Sequence, residues 1–329
     1  MARWIVPVAV GLWLALASGA AAATATWQSV QAAPGVVDVA GPRTDDTLVA
    51  AVGGGIEAFN GRSLIPFTHL TGRGAYAPSA GESYIAVTPD VRLPKSGCSF
   101  HRNDVFALGD NPDRVVRITS RGNASNFVSL PSPFLSAIAF DRVGTFGHRL
   151  LVAGTANDTT TLYAIDCRGR VKVLTGHGAL IEGGMEVAPR GFGRFGGRLF
   201  AVDELHGPIY AFKPSGAAAT VAAPSLATGP DAGIEALGFV PRLRKHTVAY
   251  LADRGVPGNP HPGTDSILRL TAAQLRFGGV RAGDLLVATE GGADTVALRC
   301  RGKKKHCGAR LAAHGPAVAH AEGHIAFIR

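Results

Sequence analysis

Leu199-Phe-Ala-Val-Asp-Glu204 is a short apolar run ending in acids, and Ile209-Tyr-Ala-Phe212 follows it across a Gly-Pro turn; the pair reads as two strands of a hairpin. The first run recurs at Leu48-Val-Ala-Ala-Val52, Val105-Phe-Ala-Leu-Gly-Asp110, Leu150-Leu-Val-Ala-Gly154, Val248-Ala-Tyr-Leu-Ala-Asp253 and Leu285-Leu-Val-Ala-Thr-Glu290, at spacings of 57, 45, 49, 49 and 37 residues. A second strand follows nearly every copy, as in Leu162-Tyr-Ala-Ile-Asp166 and Ile267-Leu-Arg-Leu270, and a third follows several, such as Val171-Lys-Val-Leu174. A different strand precedes most of them: Glu82-Ser-Tyr-Ile-Ala-Val87, Ser136-Ala-Ile-Ala-Phe140, Glu182-Gly-Gly-Met-Glu-Val187 and Gly233-Ile-Glu-Ala-Leu-Gly-Phe239. Six units of four strands at a mean period of about 50 residues predict an all-β, six-bladed β-propeller, with the first strand of each blade lining the central channel.

The two ends of the repeat bear on closure. Glu322-Gly-His-Ile-Ala-Phe327 has the first-strand pattern with no blade after it, and the unit at Leu48 has no such strand before it. The expectation is that the C-terminal strand completes the first blade and removes a free edge. A β-sandwich explains neither the period nor the orphan strand. The unit at Leu285 lacks a first strand, and Leu270 to Val280 reads as a short helix or a distorted strand.

Composition agrees with this reading. Of 329 residues, 46% are hydrophobic and 17% charged, with 43 Gly and 20 Pro. Charge well below the usual quarter of residues excludes a disordered chain, a coiled coil and a long-helix bundle. Glycine and proline at this density punctuate many short strands.

Residues 1–25 read as a secretory signal peptide: Arg3 in the n-region, Trp4 to Leu16 as the apolar core, and small residues from Ser18 to Ala25. The apolar run falls short of the roughly 20 residues that span a bilayer. Residues 26–329 are then one exported domain, secreted, periplasmic or at the cell surface, with no transmembrane segment. Four cysteines suit that compartment as two disulfides. Cys300 and Cys307 bracket a short polar loop, which leaves Cys98 for Cys167.

Several residue sets are candidates for chemistry. Glu82, Glu182 and Glu322 each stand three residues before an apolar strand residue, with Glu235 one place out of line, so first strands lining a channel bring these carboxylates to its mouth. Hard oxygen ligands there suit calcium. The strand-end acids Asp110, Glu204, Asp253 and Glu290 recur in four units, and that repetition reads as a structural role in turns. His320 and His324 flank Glu322 at two-residue spacings, with His314 nearby; on an extended strand they share a face, as a metal or acid-base set would. Gly191-Phe-Gly-Arg-Phe-Gly196 leads into a strand and is a turn, not a dinucleotide loop. A net charge of +9 is concentrated between Arg299 and Arg310, a tip suited to anionic cell-surface polymer or lipid headgroups. It lacks the interleaved aromatics of a nucleic-acid platform.

The strand endings Tyr250-Leu-Ala-Asp253 and Leu162-Tyr-Ala-Ile-Asp166, with the pairs Glu182-Gly183 and Glu322-Gly323, resemble the six-bladed propeller superfamily of gluconolactonase and regucalcin-type proteins, strictosidine synthase and paraoxonase-like lactonases. The resemblance implies a divalent cation, calcium, held by a Glu, Asn and Asp set at first-strand starts and polarising a lactone or ester carbonyl. Glu182 and Glu322 match that Glu; Asn-Gly and Asp-Gly partners do not occur at the first strands. Two functions follow. One is a propeller binding a small molecule or protein ligand at its channel mouth without chemistry. The other is a calcium-dependent lactone or ester hydrolase, with Glu82, Glu182, Glu235 and Glu322 around the cation and His320 or His324 as base.

Overall fold

The computed structural model describes residues 24–77, 82–89, 98–109, 113–132, 134–302 and 307–329. Strands β1 (Ala25–Thr26) and β2 (Gln28–Ala32) open the described chain. Four four-stranded antiparallel sheets follow, each a simple meander. They are β3 (Asp38–Ala40), β4 (Leu48–Val52), β5 (Gly55–Phe59) and β6 (Leu64–Pro66); β7 (Ile85–Val87), β8 (Val105–Gly109), β9 (Arg114–Ile118) and β10 (Ala124–Ser129); β11 (Leu135–Phe140), β12 (Leu150–Ala156), β13 (Thr159–Ile165) and β14 (Val171–Gly178); and β15 (Met185–Val187), β16 (Leu199–Val202), β17 (Ile209–Phe212) and β18 (Thr220–Ala222). The rest of the chain is β19 (Ile234–Phe239), β20 (Val248–Asp253), β21 (Ser266–Thr271), helix α1 (Ala272–Phe277), β22 (Leu285–Thr289), β23 (Thr295–Arg299), β24 (Gly308–His314) and β25 (Ala321–Ile328). These strands, with β1 and β2, form one nine-stranded sheet in the order β1-β24-β23-β22-β19-β25-β20-β21-β2.

The arrangement is propeller-like and almost wholly β. Strands β3, β7, β11, β15, β19 and β25 lie side by side in that order and return to β3, so they form an inner ring. The nine-stranded sheet divides at its parallel β19·β25 pair, where Leu237 faces His324, into β19-β22-β23-β24 and β25-β20-β21-β2.

This closure differs from the sequence expectation. The C-terminal strand β25 does not complete the first sheet; it pairs antiparallel with β20, and the first sheet has its own inner strand, β3. The unit at Leu285 takes β19 as its inner strand, not a strand next to it in sequence. The reason is local: Asp38-Val-Ala40 is too short to stand out by pattern, and the chain leaves β19 for the neighbouring half-sheet before returning at β22. N-terminal β2 supplies the outer edge to β21, so both chain ends fasten the same half-sheet.

Ala25 is buried and pairs with Ala313, while the buried Trp27 indole donates to Thr295 Oγ1 at 2.8 Å. The rest of the expected signal peptide, residues 1–23, lies outside the described residues. Among those described, no helix is long and apolar enough to cross a membrane. Helix α1 resolves the ambiguous stretch after Leu270. Thr271 caps it, accepting from Gln274 N–H while the Gln274 side chain accepts from Thr271 N–H.

Apolar faces of adjacent sheets pack on one another. Phe106 meets Phe127 and Phe140 edge-on at 4.9 and 5.4 Å between the second and third sheets, and Phe239 meets Phe192 and Phe200 at 4.9 and 5.5 Å. One ion pair recurs: the acid just before a second strand holds an arginine of the third, Asp104 with Arg117 and Asp284 with Arg299, each through Nε at 2.7 Å. Both expected disulfides are present. Cys98–Cys167 ties the second sheet to the third, and Cys300–Cys307 clips the β23–β24 hairpin.

Candidate functional site

The inner strands begin at one mouth of the ring, and bulges at three of those starts aim side chains inward. Register shifts fall at Ser136 in β11, at Glu235 in β19 and around Gly323 in β25. The two Glu-Gly pairs owe their glycines to this geometry. Gly183 and Gly323 have φ of +78° and +67°, and a Cβ would stand 2.3 Å from Glu235 Cγ at the first and 2.4 Å from Asp38 Oδ1 at the second.

Glu82, Glu235 and Glu322 converge around the buried hydroxyl of Tyr84, each offering an oxygen within 4.8 Å of the others. The hydroxyl lies 3.0 Å from Glu82 Oε2 and 2.9 Å from Glu322 Oε2, and it also contacts Glu235 Oε1. One phenolic proton serves one carboxylate, so another carboxyl must bring its own. Glu235 is that group: burial, then the charges of Glu322 and Glu82, push its pKa well above the carboxylate range. Burial and Glu322 also raise Glu82. Arg254 enters from the loop after β20, and its Nη1 donates to Glu82 Oε1 at 2.6 Å and to Glu322 Oε1 at 2.9 Å. Burial opposes ionisation of Glu322, but hydrogen bonds from His320 and Glu235 and the Arg254 charge hold it at about 2.

A second group adjoins the first through His320. Its Nε2 lies 2.6 Å from Glu290 Oε1 and 3.4 Å from Glu322 Oε1. Burial works against its charge, yet these two carboxylates push its pKa to about 10. Glu290, His320 and the exposed Asp231 bring ligand atoms within 4.8 Å of one another. Glu204 packs on Glu290; burial and that neighbour push its carboxyl to about 9. His320 Nδ1, Glu290 Oε2 and Glu204 Oε1 are buried without a hydrogen-bond partner. Glu182 is half-buried, and its pKa is raised to about 7 by burial and by Glu82, Glu322 and Glu290. The mouth thus gathers six glutamates around two side-chain cations.

His324 does not join His320. The bulge at Gly323 breaks strict alternation, and the ring of His324 lies deeper in the channel, with Nδ1 2.9 Å from Asp38 Oδ2 and Nε2 3.1 and 3.2 Å from the carbonyls of Ile138 and Met185. Nδ1 faces a carboxylate and Nε2 faces carbonyls, so both ring nitrogens are placed to donate; burial disfavours the proton, but Asp38 raises the pKa. Asp38 also accepts the N–H groups of Ile85 and His324, each at 2.8 Å. This knot joins β3, β7, β11, β15 and β25 across the channel. His314 lies apart, 2.8 Å from Asp294.

Tyr84, Arg254, Asp231, Glu204 and Glu290 were not among the expected site residues. Glu204 and Glu290, expected as turn acids, line the mouth, whereas Asp253 does fill that role by accepting His320 N–H at 2.8 Å. The missed signal is antiparallel geometry: the end of a second strand sits beside the start of the first, so strand-end acids share the mouth with strand-start acids. Asp110 lies outside the described residues. In the basic tip, Arg299 is committed to Asp284, and residues 303–306 lie outside the described residues.

No protein-family model matches the chain, and no curated protein does. Among solved structures it is similar to virginiamycin B lyase from Staphylococcus aureus, in an inactive histidine-to-alanine form with quinupristin, at 10% identity over 87% of this chain and 73% of that one, with a TM-score of 0.46. The selenomethionine form of that lyase gives 11% identity over 83% and 84% of the two chains, also at 0.46. A candidate gluconolactonase gives 13% over 70% and 71%, at 0.36. Likenesses this distant assign neither a family nor an activity.

Proposed function

We propose that the protein is an exported six-bladed propeller that binds a small cationic ligand at its acidic mouth without chemistry of its own. The blade count rests on treating the two halves of the nine-stranded sheet as separate blades behind the six-membered inner ring. Export rests on the N-terminal segment and on two disulfides, which persist in oxidising compartments. The observation that carries the binding reading is the excess of carboxyls over cations, six glutamates gathered around Arg254 and His320. Arg254 displays the recognition chemistry, one guanidinium nitrogen bridging two carboxylates.

Calcium, which the family resemblance implies, fits poorly at Glu82, Glu235 and Glu322. Arg254 already bridges two of these and Tyr84 fills the space between, so no step is derived through it. A cation-dependent lactone or ester hydrolase is the second reading, favoured by Glu182, whose pKa of about 7 suits proton transfer at neutral pH. In that reading Asp231, Glu290 and His320, once it has shed its proton, would hold the ion, a mixed nitrogen and oxygen set closer to manganese or zinc than to calcium, and the ion would supply carbonyl polarisation. The exposed Arg301 at the β23–β24 tip supports a separate contact with anionic cell-surface polymer.

The test is thermal unfolding in EDTA, then with methylguanidinium, a diamine, or millimolar calcium, magnesium, manganese or zinc. A ligand at 100 times its Kd adds about 2.7 kcal/mol, a rise of about 4 °C for a domain of this size. A rise with the organic cations that is lost in Glu290→Gln supports the binding reading. A rise with a metal alone moves the account to the hydrolase and to a lactone panel. No rise with any cation overturns both.

A further inference from the structure

The later residues of the inner strands line a pocket of about 110 Å³ at the opposite mouth, separated from the acids by the His324–Asp38 knot. Its chemistry is the reverse of the acidic mouth. Val87, Phe140, Phe239 and Phe327 give apolar walls, and Arg142 and Arg329 bring positive charge. From these features we propose that this second mouth binds a short-chain aliphatic carboxylate, its charge held by Arg142 and its alkyl tail by the apolar walls.

Arg142 is the carrying observation. Among the described residues its side chain bonds only from Nη2, to the carbonyls of Gly41 at 3.4 Å and Val87 at 3.3 Å, both long, and makes no ion pair. A guanidinium has five N–H donors in a planar fork that matches a carboxylate, and only Nη2 of Arg142 is engaged among the described residues. One acid, Glu186, shares the lining and its charge favours that of Arg142, but the two form no ion pair among the described residues, and Arg329 and His324 add further positive charge. Glu186 is engaged with the N–H of Phe239 at 2.7 Å, and Asp38 with His324. Size narrows the class, since an engineered cavity of about 150 Å³ holds benzene; the smaller volume here suits about four to six heavy atoms, as in propionate or butyrate.

Calorimetric titration and thermal unfolding of the full chain at constant ionic strength, with acetate, propionate and butyrate against propionamide and phosphate, test this directly. Propionate is expected to bind saturably and to raise the melting temperature, while propionamide, equal in shape but uncharged, and phosphate do not. Arg142→Gln should weaken propionate at least about tenfold, the loss of a charge-assisted hydrogen-bonded pair, and Arg142→Lys should weaken it less. Glu290→Gln, at the other mouth, should leave it unchanged. If Arg142→Gln fails to fold, a crystal of the unaltered protein soaked with bromoacetate gives the answer: a bromine peak beside Arg142 supports the proposal, and one elsewhere or none overturns it. Equal binding of propionate and propionamide, tighter binding of phosphate, or propionate binding that survives Arg142→Gln also overturns it. The outcome is independent of the acidic mouth.

Discussion

Replacing Asp38 with Asn examines the knot that separates the two mouths. Asp38 is fully buried and accepts from Ile85 N–H, His324 N–H and His324 Nδ1–H. The amide keeps the shape but loses the charge and one acceptor oxygen, and it turns an N–H₂ toward groups that are themselves donors. His324 is then a buried imidazolium with no counter-ion, and shedding its proton would forfeit a hydrogen bond. Breaking a buried pair from one side costs about 3–5 kcal/mol. An unfolding entropy of about 2.1 cal/mol/K per residue gives about 0.6 kcal/mol/K for a domain of about 300 residues, so the melting temperature should fall by about 5–8 °C. Calorimetry on Asp38→Asn, His324→Gln and the double variant is the assay, with the double variant expected to lose no more than the worse single one. A drop below about 1 °C for Asp38→Asn, or strict additivity, would refute the reasoning.

Arg254→Ala should leave Glu82 and Glu322 facing each other without their shared cation, lowering the melting temperature by several degrees; millimolar calcium should restore part of the loss in this variant and none in the parent, read by the same melts. Stability should fall as pH rises from about 5 to 10. Glu182, Glu204 and His320 have folded pKa values of about 7, 9 and 10, all above their ordinary ones, so each contribution is complete below the ordinary value and lost as pH passes the folded one. Denaturant midpoints at pH 5, 7 and 9 measure this, and Glu204→Gln should flatten the decline up to about pH 9. The two disulfides should differ in worth: Cys98–Cys167 spans 69 residues and Cys300–Cys307 spans 7, so Cys-to-Ser removal should cost about 4 and about 2 kcal/mol by denaturant titration.

How far the sequence could be read depended on the length scale of each signal. The strands beginning at Leu48, Val105, Leu150, Leu199, Val248 and Leu285 were legible because each is a run of four or more apolar residues with turn residues at its ends, and all six form as strands. The disulfides were legible because the compartment and the 300–307 loop left one arrangement. The swap of inner strands between β22 and β20 was not, since period and pattern report which strands exist and not which pair. Within the mouth, the register of Glu82 and Glu322 was visible as a spacing. Arg254 was hidden in a loop, Tyr84 carries no motif that marks it, and the split between His320 and His324 turns on the backbone at Gly323, which alternation cannot foresee.

The most direct test of the account is a calorimetric titration of methylguanidinium at pH 7 and low salt into the protein and into Glu290→Gln. The account predicts saturable one-to-one binding that weakens as salt rises and falls at least about tenfold in the variant. Absence of binding, or binding equally tight to Glu290→Gln, would contradict it.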